Sequence, residues 1–139
     1  MTTTTPTGTI TERSAVETAA TFDTTRDDYA HATRIALARR GTRDALIVHI
    51  ARYGTWAQAL DALPRLAFDG DAEENRLAII AAAHWIAGDP STGATIVAAH
   101  PGHRMMDLIG RLADNGVPPQ AWVDAMAGID IDTCYQFAK

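Results

Sequence analysis

One cysteine, one lysine and only three each of Phe, Tyr and Trp in 139 residues rule out several kinds of protein. The lone Cys134 excludes an internal disulfide framework and any zinc site built from several cysteines. No apolar run approaches the roughly 20 residues that a membrane span needs. The N-terminus has neither the basic start nor the apolar stretch of a secretory leader. Runs of β-branched and aromatic residues with strand-like alternation are missing as well. No HExxH, CxxC, Gly-rich phosphate loop, GxSxG elbow or paired-carboxylate motif occurs. The expectation is a cytoplasmic protein, away from membranes, with no cofactor, no metal and no catalytic motif that would make it an enzyme.

What is present favours helix. Apolar residues make up 47% and charged residues 21%, enough for a packed core and too balanced for wholesale disorder. Ala, the best helix former, occurs 27 times. The basic charge is almost all Arg, 11 against the single Lys139. Net charge is −5 and unevenly spread, with +3 over 26–52 and −6 over 53–139. A basic segment followed by an acidic one can attract an acidic partner or another copy of the same chain.

Residues 1–11 form a low-complexity, Thr-rich tail that reads as disordered. Residues 12–128 then read as one helical domain, and 129–139 as a C-terminal arm docked in extended form. Glu12–Phe22 is a weak helix at most. A firmer helix is expected from a Thr25 cap to a stop at Arg39-Arg40-Gly41, and the next after Thr42, with Leu46, Ile50 and Tyr53 on one side. Thr55 should cap a helix carrying Trp56 and Leu60, and Asp71 with Glu74 resembles a capping box. The run LAIIAAAHWIA is apolar all round except at His84, so it should be the central buried helix. Gly88-Asp89-Pro90 reads as a stop followed by a cap and a helix start, and Asn115-Gly116-Val117 as a Schellman stop. Six to seven short helices result, stacked as antiparallel helical hairpins in an all-α fold. The expected core is Leu46, Ile50, Trp56, Leu60, Leu77, Ile80, Trp85, Ile109, Leu112 and Trp122.

Asn75–Trp122, with Trp85, Gly88-Asp89, Ala94, Ala98, Pro101-Gly102-His103, the Leu108–Leu112 stripe and Gly116-x-Pro118-Pro119, resembles part of a known family. It is an uncharacterised actinobacterial family, carried only as a domain of unknown function, and the match is to its C-terminal helical part. RDALIVHIAR, Arg43–Arg52, looks like that family's preceding helix. Family members are longer at the N-terminus, which implies a shortened relative from an actinobacterium or one of its phages. The resemblance carries over no catalytic residue. The Trp-x-x-Gly-Asp turn is also similar to a single tetratricopeptide hairpin, without a repeating period.

Among the chemistry-bearing residues, His100 and His103 read as helix-terminal residues, and His84 as a buried neutral imidazole. Cys134 has no neighbour that would activate its thiol. Gly88 and Asp89 read as a structural turn. The candidate interaction residues are Arg34, Arg39, Arg40, Arg43 and Arg52, with Tyr135 and Phe137 in the apolar tail. These support a non-catalytic protein-interaction module whose partner is another protein or a second copy, a homodimer being slightly favoured over a monomer. The alternative is a DNA-binding regulator that uses the Arg34–Arg52 helix pair around Gly41. Nucleic acid is the lesser expectation, because phosphate contacts dominate such affinity and the chain has a pI near 5.4. A novel enzyme ranks third.

Overall fold

The computed structural model describes residues 11–136; the Thr-rich tail before Thr11, and Phe137, lie outside them. Among the described residues the regular structure is entirely helical: α1 (Glu12–Ala19), α2 (Tyr29–Leu37), α3 (Arg40–Tyr53), α4 (Trp56–Ala62), α5 (Gly70–Ile86), α6 (Pro90–Ala98), α7 (Arg104–Asp114), α8 (Pro119–Ala127) and α9 (Ile131–Tyr135), with a short 3₁₀ turn at Leu63–Arg65. The all-α class expected from composition is what the chain adopts. None of these helices is long and apolar enough to cross a membrane.

Among the described residues nine helices replace the expected six to seven, for two local reasons. α1 is well formed because the Thr11 hydroxyl accepts from the Ser14 N–H at 3.0 Å and Val16, Ala15 and Ala19 are fully buried. The arm expected to be extended instead turns helical at α9, where the Asp130 side chain caps the N–H of Asp132 at 3.1 Å and Cys134 is buried. Thr25 is not a cap. It sits in a turn made by Asp23, and α2 begins only at Tyr29.

The glycine stops after α5 and α7 hold their expected form. At the end of α5 the N–H of Asp89 donates to the His84 carbonyl at 2.8 Å and that of Gly88 to Trp85 at 3.2 Å, the two bonds of a Schellman motif. Gly88 has φ +88, where a side chain would be strained. The Asp89 carboxylate then caps α6, accepting from the Thr92 N–H and hydroxyl at 3.3 and 2.6 Å. Val117 N–H closes α7 on the Leu112 carbonyl in the same way at 3.0 Å.

The capping box, in contrast, is displaced. Asp69 precedes α5, and Glu73 rather than Glu74 reaches back, accepting from the Phe68 N–H at 2.8 Å. Gly41 does not break the chain either: it is buried in the first turn of α3, and the break falls at Arg39, whose backbone is extended.

Two helices share the centre. α5 is buried as its composition requires, but α3 is buried along nearly its whole length and packs against α1, α2, α8 and α9. Of the expected core, Leu46, Ile50, Trp56, Ile80, Trp85, Ile109 and Trp122 are buried, while Leu60, Leu77 and Leu112 are only partly covered. Val16, Leu37, Leu63, Ile79 and Met106, fully enclosed, complete it. The three tryptophans form a chain, with Trp122 between Trp56 at 5.8 Å and Trp85 at 6.2 Å between ring centroids. Consecutive helices pair most intimately as α1 with α2 and α5 with α6. Where α6 meets α5, Gly93 lies so close that a Cβ on it would stand 2.9 Å from the Ala81 carbonyl oxygen.

Candidate functional site

Five arginines of the basic segment end in three different places. Arg34 pairs with Asp69 at 2.8 Å on the surface. Arg52 donates to the carbonyls of Ala127 and Ile129, satisfying the C-terminal end of α8. Arg39, Arg40 and Arg43 converge on one cleft of about 410 Å³, together with Asn75, Asp71 and Glu74 of α5 and His103 before α7. The five therefore do not make one continuous basic strip along a helix pair.

The cleft's floor is a hydrogen-bonded network between α3, α5 and the start of α7. Arg43 is 7% exposed although charged. Its Nε and Nη2 donate to Asp44 at 3.0 and 2.8 Å, and its Nη1 donates to Asn75 Oδ1 at 3.2 Å. Asn75, 5% exposed, passes the connection on through Nδ2 to the Leu37 carbonyl at 2.8 Å. His103 Nδ1 accepts from the Met106 N–H at 3.3 Å as the cap of α7, which puts the ring proton on Nε2, 2.9 Å from Asn75 Oδ1. Each of these groups is thus engaged by its neighbours within the fold.

Burial, and then the positive charge of Arg43, hold His103 below the ordinary histidine value of 6.5. Burial lowers His49 too. A histidine whose pKa is lower in the folded chain binds fewer protons there than when unfolded. Its contribution to stability is complete above the unfolded value and is lost as pH falls through the folded one. Stability should therefore decline as pH drops below about 6.5, before the carboxylates titrate. His103→Asn, which cannot take the proton, should flatten part of that decline in urea midpoints measured against pH; an unchanged slope would count against the network.

A second groove adjoins the cleft and shares Arg40 and Arg43 with it. It holds about 290 Å³ between α3, α7 and α8. On α3 it is lined by Arg40, Arg43, Asp44 and Ile47, whose spacing puts them on one helix face. α7 contributes Arg104, Met105 and Leu108, and α8 contributes Trp122 and Met126, with Ile129 beyond it. Leu108 is 40% exposed, one of two large apolar side chains so placed among the described residues; the other is Tyr53. A separate groove of about 580 Å³ between α4 and α5 is lined by Trp56, Leu60 and Ile86, with Asp61 its charged member.

Tyr135 belongs to neither groove. Its ring lies under the Arg13 guanidinium at 4.3 Å, and its carbonyl accepts from Arg39 at 3.0 Å. Arg13 also pairs with Asp132 at 2.9 Å, and Arg39 with Glu12 at 2.6 Å, so α9 is tied back to α1 and the start of α3. Residues 129–136 therefore fold onto their own chain. His84, expected to be enclosed, keeps about a quarter of its side chain exposed and stands 3.5 Å from Asp89. Cys134 is buried, which pushes its thiol pKa upward and keeps it protonated, with Asp44 and Asp130 acting in the same direction. Among the described residues no group of three His, Cys, Asp or Glu side chains is placed to hold a metal ion.

Asn75, Asp44, Arg104, Met105 and Met126 escaped the sequence reading as site residues. The spacing of Arg40, Arg43, Asp44 and Ile47 carried a signal once α3 was allowed to start before Gly41. Asn75 carried none, since its partners Arg43 and Leu37 lie 32 and 38 residues away. No family model, no curated protein and no solved structure matches the chain.

Proposed function

We propose that the chain is a non-catalytic helical interaction module, and that it holds an apolar segment of another protein in the groove between α3, α7 and α8. One observation carries the reading: the exposed Leu108 stands at the edge of a groove lined with Met105, Trp122, Met126 and Ile129. Aromatic and methionine side chains are enriched where proteins meet, and a packed aromatic beside an accessible aliphatic makes an anchoring pocket. The neighbouring polar residues favour binding over chemistry. The His103 ring nitrogens and the Arg43 guanidinium are taken up by structural hydrogen bonds, and the Cys134 thiol is buried and protonated. A tail-mediated homodimer has less to draw on, because Tyr135 is occupied within its own chain.

The test uses a displayed library of random peptides about 16 residues long, roughly four helical turns. Selection against the full chain should yield binders that quench or shift Trp122 fluorescence. Leu108→Asp, at a position already 40% exposed, should leave the melting temperature nearly unchanged and abolish their binding. Binders indifferent to Leu108→Asp, or none at all, would remove the reading.

A further inference from the structure

Resting on the interaction-module reading, we propose that His103 is a proton-operated latch on that groove: its neutral ring pins the first turn of α7, and protonation frees the turn and releases the held segment. Both ring nitrogens are in use, and only the neutral form can use both. Nδ1 accepts from the Met106 N–H at 3.3 Å, and Nε2 donates to Asn75 Oδ1 at 2.9 Å. A second proton goes to Nδ1 and turns the acceptor into a donor facing another donor. A helix leaves its first amides without intrahelical acceptors, so Met106, the third residue of α7 and fully buried, depends on the ring for its cap.

The charged ring would also stand at the positive end of α7, next to Arg104 in sequence. Groups of both signs face it. Arg39, Arg40 and Arg43 share its cleft from the side of α3, and Asp71 and Glu74 share it from α5. Burial first, and Arg43 second, oppose the charged form; Glu74 favours it, His100 opposes it and Asp107 favours it. The balance leaves the pKa below 6.5, so the ring is neutral at neutral pH and takes its proton only in mild acid.

The pinned turn is also a wall of the groove. Arg104 and Met105 lie in it, Leu108 directly follows it, and all three line the groove. His103 itself is half-buried and opens on the neighbouring cleft, where protons reach it. Arg43 joins the two places, since it lines both and bonds to the same Asn75 oxygen that holds His103. When the capping bond is lost, Met105 and Leu108 lose the position that the held segment fits.

A selected peptide without His, Asp or Glu isolates the titration of the chain itself. Its affinity for the full chain should fall about tenfold from about pH 7.5 to about pH 5, read from tryptophan fluorescence. In His103→Asn the affinity should be the same at both, because Asn keeps a capping oxygen and takes no proton. His49 also has a lowered pKa but lines neither cleft nor groove, so His49→Gln should lose affinity as the unaltered chain does. Without any peptide, the carbon chemical shifts of residues 104–107 should leave helical values in step with the His103 ring signals. Those shifts decide the matter should His103→Asn fail to fold. Equal affinity at both pH values, a loss that persists in His103→Asn or vanishes in His49→Gln, or shifts that stay helical while His103 titrates overturns the latch. Binding that requires Leu108 yet ignores pH leaves the interaction-module reading standing. A pool without any Leu108-dependent binder removes both.

Discussion

Asn75→Ala is expected to cost about 3–5 kcal/mol of folding stability, the range in which breaking a buried charged network falls. The side chain serves three partners at once: it accepts from Arg43 and His103 and donates to the Leu37 carbonyl. Truncation leaves each of them without its bond, the Leu37 carbonyl in a fully buried residue and the Arg43 guanidinium in a nearly buried one. An unmet buried polar group costs about 1–3 kcal/mol, and more when charged. Arg43 bears most of the loss, because its guanidinium keeps only Asp44 as a partner. Asn75→Asp should be milder, since it retains acceptor atoms toward Arg43 and loses the donor to Leu37. Urea denaturation of the three proteins at neutral pH measures this. A cost for Asn75→Ala under about 1 kcal/mol would mean that the network is not what holds α3, α5 and α7 together.

The second large effect runs against helix propensity. Gly93 lies inside α6, and in an open helix replacing Gly by Ala gains about 1 kcal/mol. Here the new methyl would stand 2.9 Å from the backbone oxygen of Ala81, closer than real side-chain carbons come. A backbone carbonyl inside α5 cannot swing aside as a flexible side chain does, so the two helices would have to separate. Gly93→Ala is expected to destabilise the chain by about 1–3 kcal/mol, as overpacking does. Gly110→Ala is the control. Its methyl would meet only the Val97 Cγ1 at 3.3 Å, and the change should be close to neutral. Thermal melts of both variants decide the point: a stabilised Gly93→Ala protein would show that α5 and α6 are free to move apart.

These expectations differ in how much of them could be read from residue order. The all-α class follows from Ala content and the absence of strand patterns, and the ends of α5 and α7 follow from Gly88-Asp89 and Gly116-Val117. Those signals are local: a Schellman stop joins residues five apart, so its chemistry lies within one short stretch. Arg39-Arg40-Gly41 misled the same reasoning, because Arg, Arg and Gly also describe a helix stop. In the fold the backbone is extended at Arg39 and helical from Arg40, and Gly41 and Thr42 are buried in that first turn.

What the amino-acid order determined by itself was thus the fold class, most helix boundaries and the buried character of α5. Tertiary structure alone decided that α3 shares the centre, that Arg34 and Arg52 leave the cluster while Arg39, Arg40 and Arg43 stay, and that α9 returns to α1. It also placed Leu108 at the edge of a groove rimmed by arginine. The physical reason is the range of the interactions. Caps and turns are set by bonds between near neighbours, whereas a charge such as Arg43 can be buried only if a partner arrives from another helix. That partner, Asn75, comes 32 residues later, and no periodicity connects the two.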